Sequence, residues 1–225
     1  MSVDGQLAWL INVRDDLAGL NRCLSQLRRV HPHSRVTVVG DGDSGAAAHT
    51  ANAYQADYAT GPSLFPVING GRIWQRTLEH LLAGPEPWLF KIDTDTVVSR
   101  ACRAFPGFDC AFGTVQQITV GSTIHSSLQG GCIGLTRRAA AQLHDSGVFL
   151  DPDLASRPLD TWAVPGPPAA RALAGLTSED WTLGWAVAKL RIPIIPWAEI
   201  ASGWKMPPPW ARTAAVWHPA KQAAV

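Results

Sequence analysis

Apolar positions along this chain switch repeatedly between strand-length runs and helical spacing. Leu7 to Val13 is an apolar run of strand length. From Leu17 the period changes: Leu17, Leu20, Leu24 and Leu27 fall at i, i+3, i+7 and i+10, one face of a helix. That helix should stop near His31-Pro32, because a residue preceding proline avoids the α region. Arg35-Val36-Thr37-Val38-Val39 reads as a second strand. Strand, helix, strand in this order predicts a parallel pair with a right-handed crossover. An alanine-rich helix is expected over about 45–56, then a loop containing Gly61-Pro62, Pro66 and Asn69-Gly70-Gly71. Trp74, Leu78, Leu81 and Leu82 resume helical spacing and feed the strand Trp88-Leu89-Phe90-Lys91-Ile92, interrupted only by Lys91.

Further on, Cys110 to Gly113 and Val115 to Val120 read as strands, and Gln129 to Leu135 as a strand studded with glycine. Arg137 to Leu143 has helical spacing. Residues 151–168 hold five prolines and no clear period, which predicts a long loop of the lid or binding type. A helix should open around Thr177 to Asp180 and run to about Leu190. Ile192-Pro193-Ile194-Ile195 is a late strand, placed at a sheet edge by its proline. The alternation predicts an α/β fold: one domain over 1–225, with a mainly parallel central sheet flanked by helices.

Composition narrows the function. The chain is 46% hydrophobic and 16% charged, enough apolar material for a substantial core and against disorder. The formal net charge of +1 leaves no electrostatic footprint for nucleic acid. No stretch approaches the ~18 apolar residues of a membrane span, and Met1 to Gln6 lacks a basic region before an apolar run. Cys23, Cys102, Cys110 and Cys132 have no Cys-x-x-Cys spacing, so buried free thiols in a reducing cytoplasm are expected. Seven of the ten tryptophans lie after residue 160, a bias that suits either ordinary core or stacking on a sugar ring.

Candidate chemistry centres on Asp93-Thr94-Asp95. If the strand continues, both carboxylates point to one face, where their mutual repulsion calls for a cation. Oxygen ligands suit magnesium or manganese, and a solvated turn or a helix N-cap at Asp95 is the plain structural alternative. The end of a strand in an open α/β sheet is also where ligands bind. Asp41-Gly42-Asp43 closes the second strand, as a hydrogen-bonding site for a nucleoside or as a simple Asx turn. Gly70, Gly71 and Arg72 open a helix whose N–H groups and guanidinium suit a diphosphate, or else make a plain loop. The glycines of Gln129-Gly130-Gly131-Cys132 would let something approach the backbone closely. Glu179 and Asp180 sit at a helix start, where acids also serve as caps.

Taken in order, these stretches resemble a GT-A glycosyltransferase, most like the large inverting family that uses nucleotide-diphospho-sugars. The motifs are Val38-Val39-Gly40-Asp41-Gly42-Asp43, Gly71-Arg72, Ile92-Asp93-Thr94-Asp95, Gly130-Gly131 through Arg137-Arg138, Ser178-Glu179-Asp180-Trp181 and His218. The resemblance spans roughly residues 7 to 218. It implies a nucleotide-binding half over about 1–100, an acceptor-binding half over about 101–218 and a tail over 219–225. It implies Mn2+ or Mg2+ held by Asp95, Asp93 and His218, and a nucleotide, most commonly UDP, bound by Asp41, Asp43, Arg72 and Arg14. Asp180 would be the general base, assisted by Glu179, with Gly130, Gly131 and Trp181 near the acceptor or sugar. Gly40 stands where many relatives carry an acid, which leaves the base contact to Asp41, to Asp43 or to neither. The Gln-x-x-Arg-Trp motif of processive synthases and membrane helices are both absent, implying transfer of one sugar to a soluble acceptor, and a small chain rich in Ala and Arg fits a cytoplasmic bacterial tailoring enzyme.

Two other readings differ in class. Ile92-Asp93-Thr94-Asp95-Thr96-Val97 also resembles the nucleophile motif of haloacid dehalogenase-like phosphatases, although the acidic Gly40 to Asp43 stretch precedes it instead of following. A sugar-nucleotide-binding module without catalysis would use the same scaffold but would have no need of a base at Asp180.

Overall fold

A computed structural model describes residues 4–42, 44–64, 70–120, 123–151, 179–202 and 213–218. Strands β1 (Leu7–Val13), β2 (Arg35–Asp41), β3 (Asp57–Gly61) and β4 (Trp88–Ile92) alternate with helices α1 (Leu17–Val30), α2 (Gly45–Ala53) and α3 (Gly70–Leu81). After the two-residue β5 (Val97–Val98) come β6 (Ala111–Val120), β7 (Thr123–Thr136) and α4 (Arg137–Asp145). Helix α5 (Glu179–Lys189) precedes three short strands, β8 (Ile194–Pro196), β9 (Ile200–Ser202) and β10 (Val216–His218).

The main sheet has seven strands in the order β3-β2-β1-β4-β7-β6-β8, and β5-β10-β9 form a second, three-stranded sheet. Neighbours β3/β2, β2/β1, β1/β4 and β6/β8 are parallel, whereas β7 runs antiparallel to both β4 and β6. The expected α/β, mainly parallel sheet flanked by helices is therefore present. Strand β8 lies at the edge, where Pro193 costs no ladder bond. Among the described residues no helix is long and apolar enough to cross a membrane.

Alternation along the central strands explains the two layers. Leu7, Trp9 and Ile11 pack with Leu20, Leu24 and Leu27 of α1, while Ala8 and Leu10 pack with Trp74 and Leu78 of α3. The leucine stripe of α1 is fully buried at positions 20, 24 and 27, and Asp16 caps the helix by accepting from the Gly19 N–H at 2.8 Å. Trp9 stacks on Phe90 with ring centroids 4.3 Å apart, and Phe90 meets Phe112 edge-on. Burial of side chains this large contributes roughly 1.5–3 kcal/mol each.

Several sequence expectations are corrected. The alanine helix ends at Ala53, not 56, and Asp57–Gly61 forms an edge strand where a loop was expected. The two stretches expected over Cys110 to Gly113 and Val115 to Val120 are one strand, β6, which starts at Ala111 and leaves Cys110 outside; its pairing with β7 is irregular between Gly113 and Val115. Residues 152–168 of the expected long loop, and Thr177 and Ser178 of the helix-start motif, lie outside the described residues.

Candidate active site

Strand β4 stops at Ile92, and Asp93 to Thr96 form a turn. Asp93 and Asp95 are therefore not successive same-face residues of an extended strand, as the sequence suggested. The turn is fixed from both sides. The Asp93 N–H donates to the Gly131 carbonyl (3.1 Å) and to Thr96 Oγ1 (3.1 Å), and the Thr96 N–H donates back to the Asp93 carbonyl (3.1 Å). The buried Thr96 hydroxyl donates to the Gly131 carbonyl at 2.7 Å. Thr94 Oγ1 donates to Asp16 Oδ2 at 2.9 Å, tying the turn to the cap of α1.

The third member arrives from β10. Antiparallel pairing of Val216 with Val98 and Trp217 with Val97 carries His218 level with the turn. Its Nε2 lies 2.8 Å from Asp95 Oδ1 and 3.6 Å from Asp93 Oδ2, and ligand atoms of all three residues lie within 4.8 Å of one another. Nε2 is buried and makes no hydrogen bond of acceptable angle, so its closeness to Asp95 is convergence of two lone-pair-bearing atoms and not a linear N–H···O bond. Two carboxylates and one imidazole nitrogen aimed at a common point fit a divalent cation such as Mn2+ or Mg2+.

Strand β7 is shaped to this site. Its register with β6 jumps from Gly113↔Ile133 to Val115↔Leu128, leaving Gln129 to Cys132 out of the ladder. Interruptions of this kind are common beside active sites, where they re-aim side chains. A Cβ on Gly131 would overlap the His218 ring, and a Cβ on Gly130 would overlap the Asp180 carboxylate. The close approach expected at these glycines is thus made by His218 and Asp180 of the chain itself.

Behind the turn lies Lys91, 2% exposed on its side chain. Its ammonium donates to Asp93 Oδ1 (2.7 Å), Glu179 Oε2 (2.8 Å) and the Gly130 carbonyl (3.2 Å). Burial alone would lower the lysine pKa, but Asp93 and Glu179 reverse that and hold it above its ordinary value. Glu179 is fixed further where its backbone carbonyl accepts from Trp74 Nε1 at 2.9 Å.

Asp180, one residue into α5, is the other acid of the site. Gln116 Nε2 donates to Asp180 Oδ2 at 3.0 Å, the Gly130 N–H donates to the carboxylate, and Ser127 Oγ donates to the Asp180 backbone carbonyl. Burial raises the Asp180 pKa to about 6, with Glu179 pushing the same way and Lys91, Gln116 and the Gly130 N–H opposing. A carboxyl poised near neutrality is suited to general acid–base work.

The nucleotide candidates are more scattered. The Asp41 carboxylate accepts from the Leu64 N–H (2.7 Å) and Ser63 Oγ (3.0 Å) and faces Arg76 at 3.6 Å. It organises the loop after β3, a role the sequence did not show. Arg14 pairs with Asp15 at 3.2 Å, and Arg72 is exposed in the first turn of α3. Asp43 and the Trp181 side chain lie outside the described residues. Sequence reasoning missed Lys91, Thr96 and Gln116 as parts of the site. Only Lys91 left a signal, as the single charge in an apolar strand. Compared with known proteins, the chain matches no family model and no curated protein.

Proposed function

We propose that this protein is a metal-dependent glycosyltransferase that moves one sugar from a nucleotide-diphospho-sugar, with UDP as the first nucleotide to test, to an acceptor hydroxyl. The observation that carries the reading is the convergence of Asp93, Asp95 and the orphaned His218 Nε2 at the end of β4, beside an Asp180 raised to about 6. Asp93, Asp95 and His218 would hold Mn2+ or Mg2+, which when bound supplies positive charge to a departing diphosphate. Asp180 takes the proton of the acceptor hydroxyl as the bond to the sugar carbon forms, which corresponds to inversion. Gln116 and the Gly130 N–H hold the carboxylate in place for that transfer. Glu179, paired with Lys91, anchors the start of α5.

A thermal-shift screen of UDP, GDP, CDP, dTDP and their sugars, with and without Mn2+, tests the reading. A ligand at a hundred times its Kd adds about 2.7 kcal/mol of stability. The expected result is a shift from one nucleotide class that requires metal and disappears in Asp95→Ala. Stabilisation by none of them would overturn the proposal and turn attention to phosphomonoester hydrolysis.

A further inference from the structure

Lys91 presents a puzzle that the proposed reaction does not absorb. An ammonium has three N–H donors, and here all three go to protein acceptors: Asp93 Oδ1, Glu179 Oε2 and the Gly130 carbonyl. Nothing is left for a phosphate, so Lys91 is not a diphosphate ligand in this arrangement. Yet the side chain is almost fully buried, and burying a charge is costly unless it is paired. A leucine would serve better if packing were the only need.

The contacts suggest what the charge does. Asp93 offers one oxygen to Lys91 and turns the other toward His218. Glu179 spends one oxygen on the same ammonium. Without the cation, the Asp93 and Glu179 carboxylates would face each other across a buried gap, as a second nest of oxygen ligands next to the Asp95–His218 pair. Resting on the metal reading above, we infer that Lys91 is a built-in counter-ion of the metal site, a positioning residue that reserves Asp93 Oδ1 and Glu179 so that the divalent ion is held loosely on the His218 side. Moderate affinity matters here because an ion gripped by every available carboxylate has less charge to lend a phosphate.

The inference makes opposite predictions for the two partners. Lys91→Gln removes a positive charge beside the ion and frees two carboxylates. Glu179→Gln removes a negative charge and leaves Asp93 as the one carboxylate on the ammonium, beside the Gly130 carbonyl. A merely structural salt bridge would loosen the site whichever partner is lost.

Mn2+ binding to the full chain, followed by electron paramagnetic resonance of the free ion, reads this without any activity assay. Expected is Lys91→Gln binding Mn2+ about tenfold more tightly than the unaltered protein, and Glu179→Gln about tenfold more weakly, each roughly 1.4 kcal/mol. If Lys91→Gln is unstable alone, its melting temperature should rise more steeply with Mn2+ than that of the unaltered protein. Weaker binding in both variants, or an unchanged affinity in both, overturns the counter-ion role and leaves the transferase reading standing. No Mn2+ binding by the unaltered protein overturns both.

Discussion

The imidazole of His218 occupies the space that a side chain on Gly131 would fill. That contact joins the site's histidine to the strand that also fixes the Asp93–Thr96 turn through the Gly131 carbonyl. A methyl group at this position cannot be accommodated unless the ring moves. Gly131→Ala should therefore weaken Mn2+ binding by roughly 10–100-fold, the range seen when supports of metal ligands are lost. Overpacking should also cost about 1–3 kcal/mol in chemical denaturation. Tight Mn2+ binding by this variant would show that His218 is not a ligand.

Thr96 is a small residue with three backbone hydrogen-bond roles in one turn. Thr96→Val keeps the shape and removes the hydroxyl. The Gly131 carbonyl and the Asp93 N–H keep their bond to each other, so the loss should fall at about 1–2 kcal/mol, within the range for buried hydrogen bonds. At this chain length a melting point several degrees lower is expected, together with weaker metal binding.

Asp180 gives two pH signatures of opposite sign. As a general base it must be ionised, so activity should fall as pH drops through about 6. Stability behaves the other way. The folded state raises this carboxyl from 3.8 to about 6, so it holds a proton that the unfolded chain has already released. Its stabilising contribution is complete below the unfolded value and is lost as pH rises through about 6. Asp180→Asn should abolish turnover, or cut it by roughly 100-fold or more. The same variant should be more stable than the unaltered protein at pH 8, by roughly 1–3 kcal/mol. Activity retained in the asparagine variant would remove Asp180 from the chemistry.

Gln116 tunes that same acid from β6. Its donated hydrogen bond favours the ionised carboxylate, against the effect of burial. Gln116→Leu should therefore raise the Asp180 pKa and move the acidic limb of the pH–rate profile upward. A limb that stays in place while the rate falls at all pH values would mean that Gln116 acts on geometry alone.

Much of the scaffold was legible because its elements are long and one-sided. The leucine spacing of α1 gave a helix whose stripe is fully buried at Leu20, Leu24 and Leu27 and partly buried at Leu17, and the apolar runs of β1, β2 and β4 gave the central parallel strands. Strand β3 was missed because Asp57-Tyr58-Ala59-Thr60-Gly61 lies at the sheet edge with no buried position to impose alternation. Strands β5, β9 and β10 have two or three residues, too few for any period to register. The site was legible as residue types but not as geometry. Asp93, Asp95 and His218 do lie together, yet the turn that brings the acids round depends on Thr96 and on a carbonyl of β7. Lys91 and Glu179 meet across 88 residues of sequence, and no local pattern announces such a pairing.

Strand β10 is only three residues long, but its Val216 is fully buried between β5 and β9 while its His218 faces the acids. Seating this strand and completing the ligand set are consequently one equilibrium. If His218 holds an ion as proposed, the free energy of binding would help keep the small sheet closed, and opening of that sheet would withdraw His218 from the acids. Backbone amide exchange at Val216 to His218 should slow on adding Mn2+, making the three-residue strand a reporter of occupancy as well as a wall of the site.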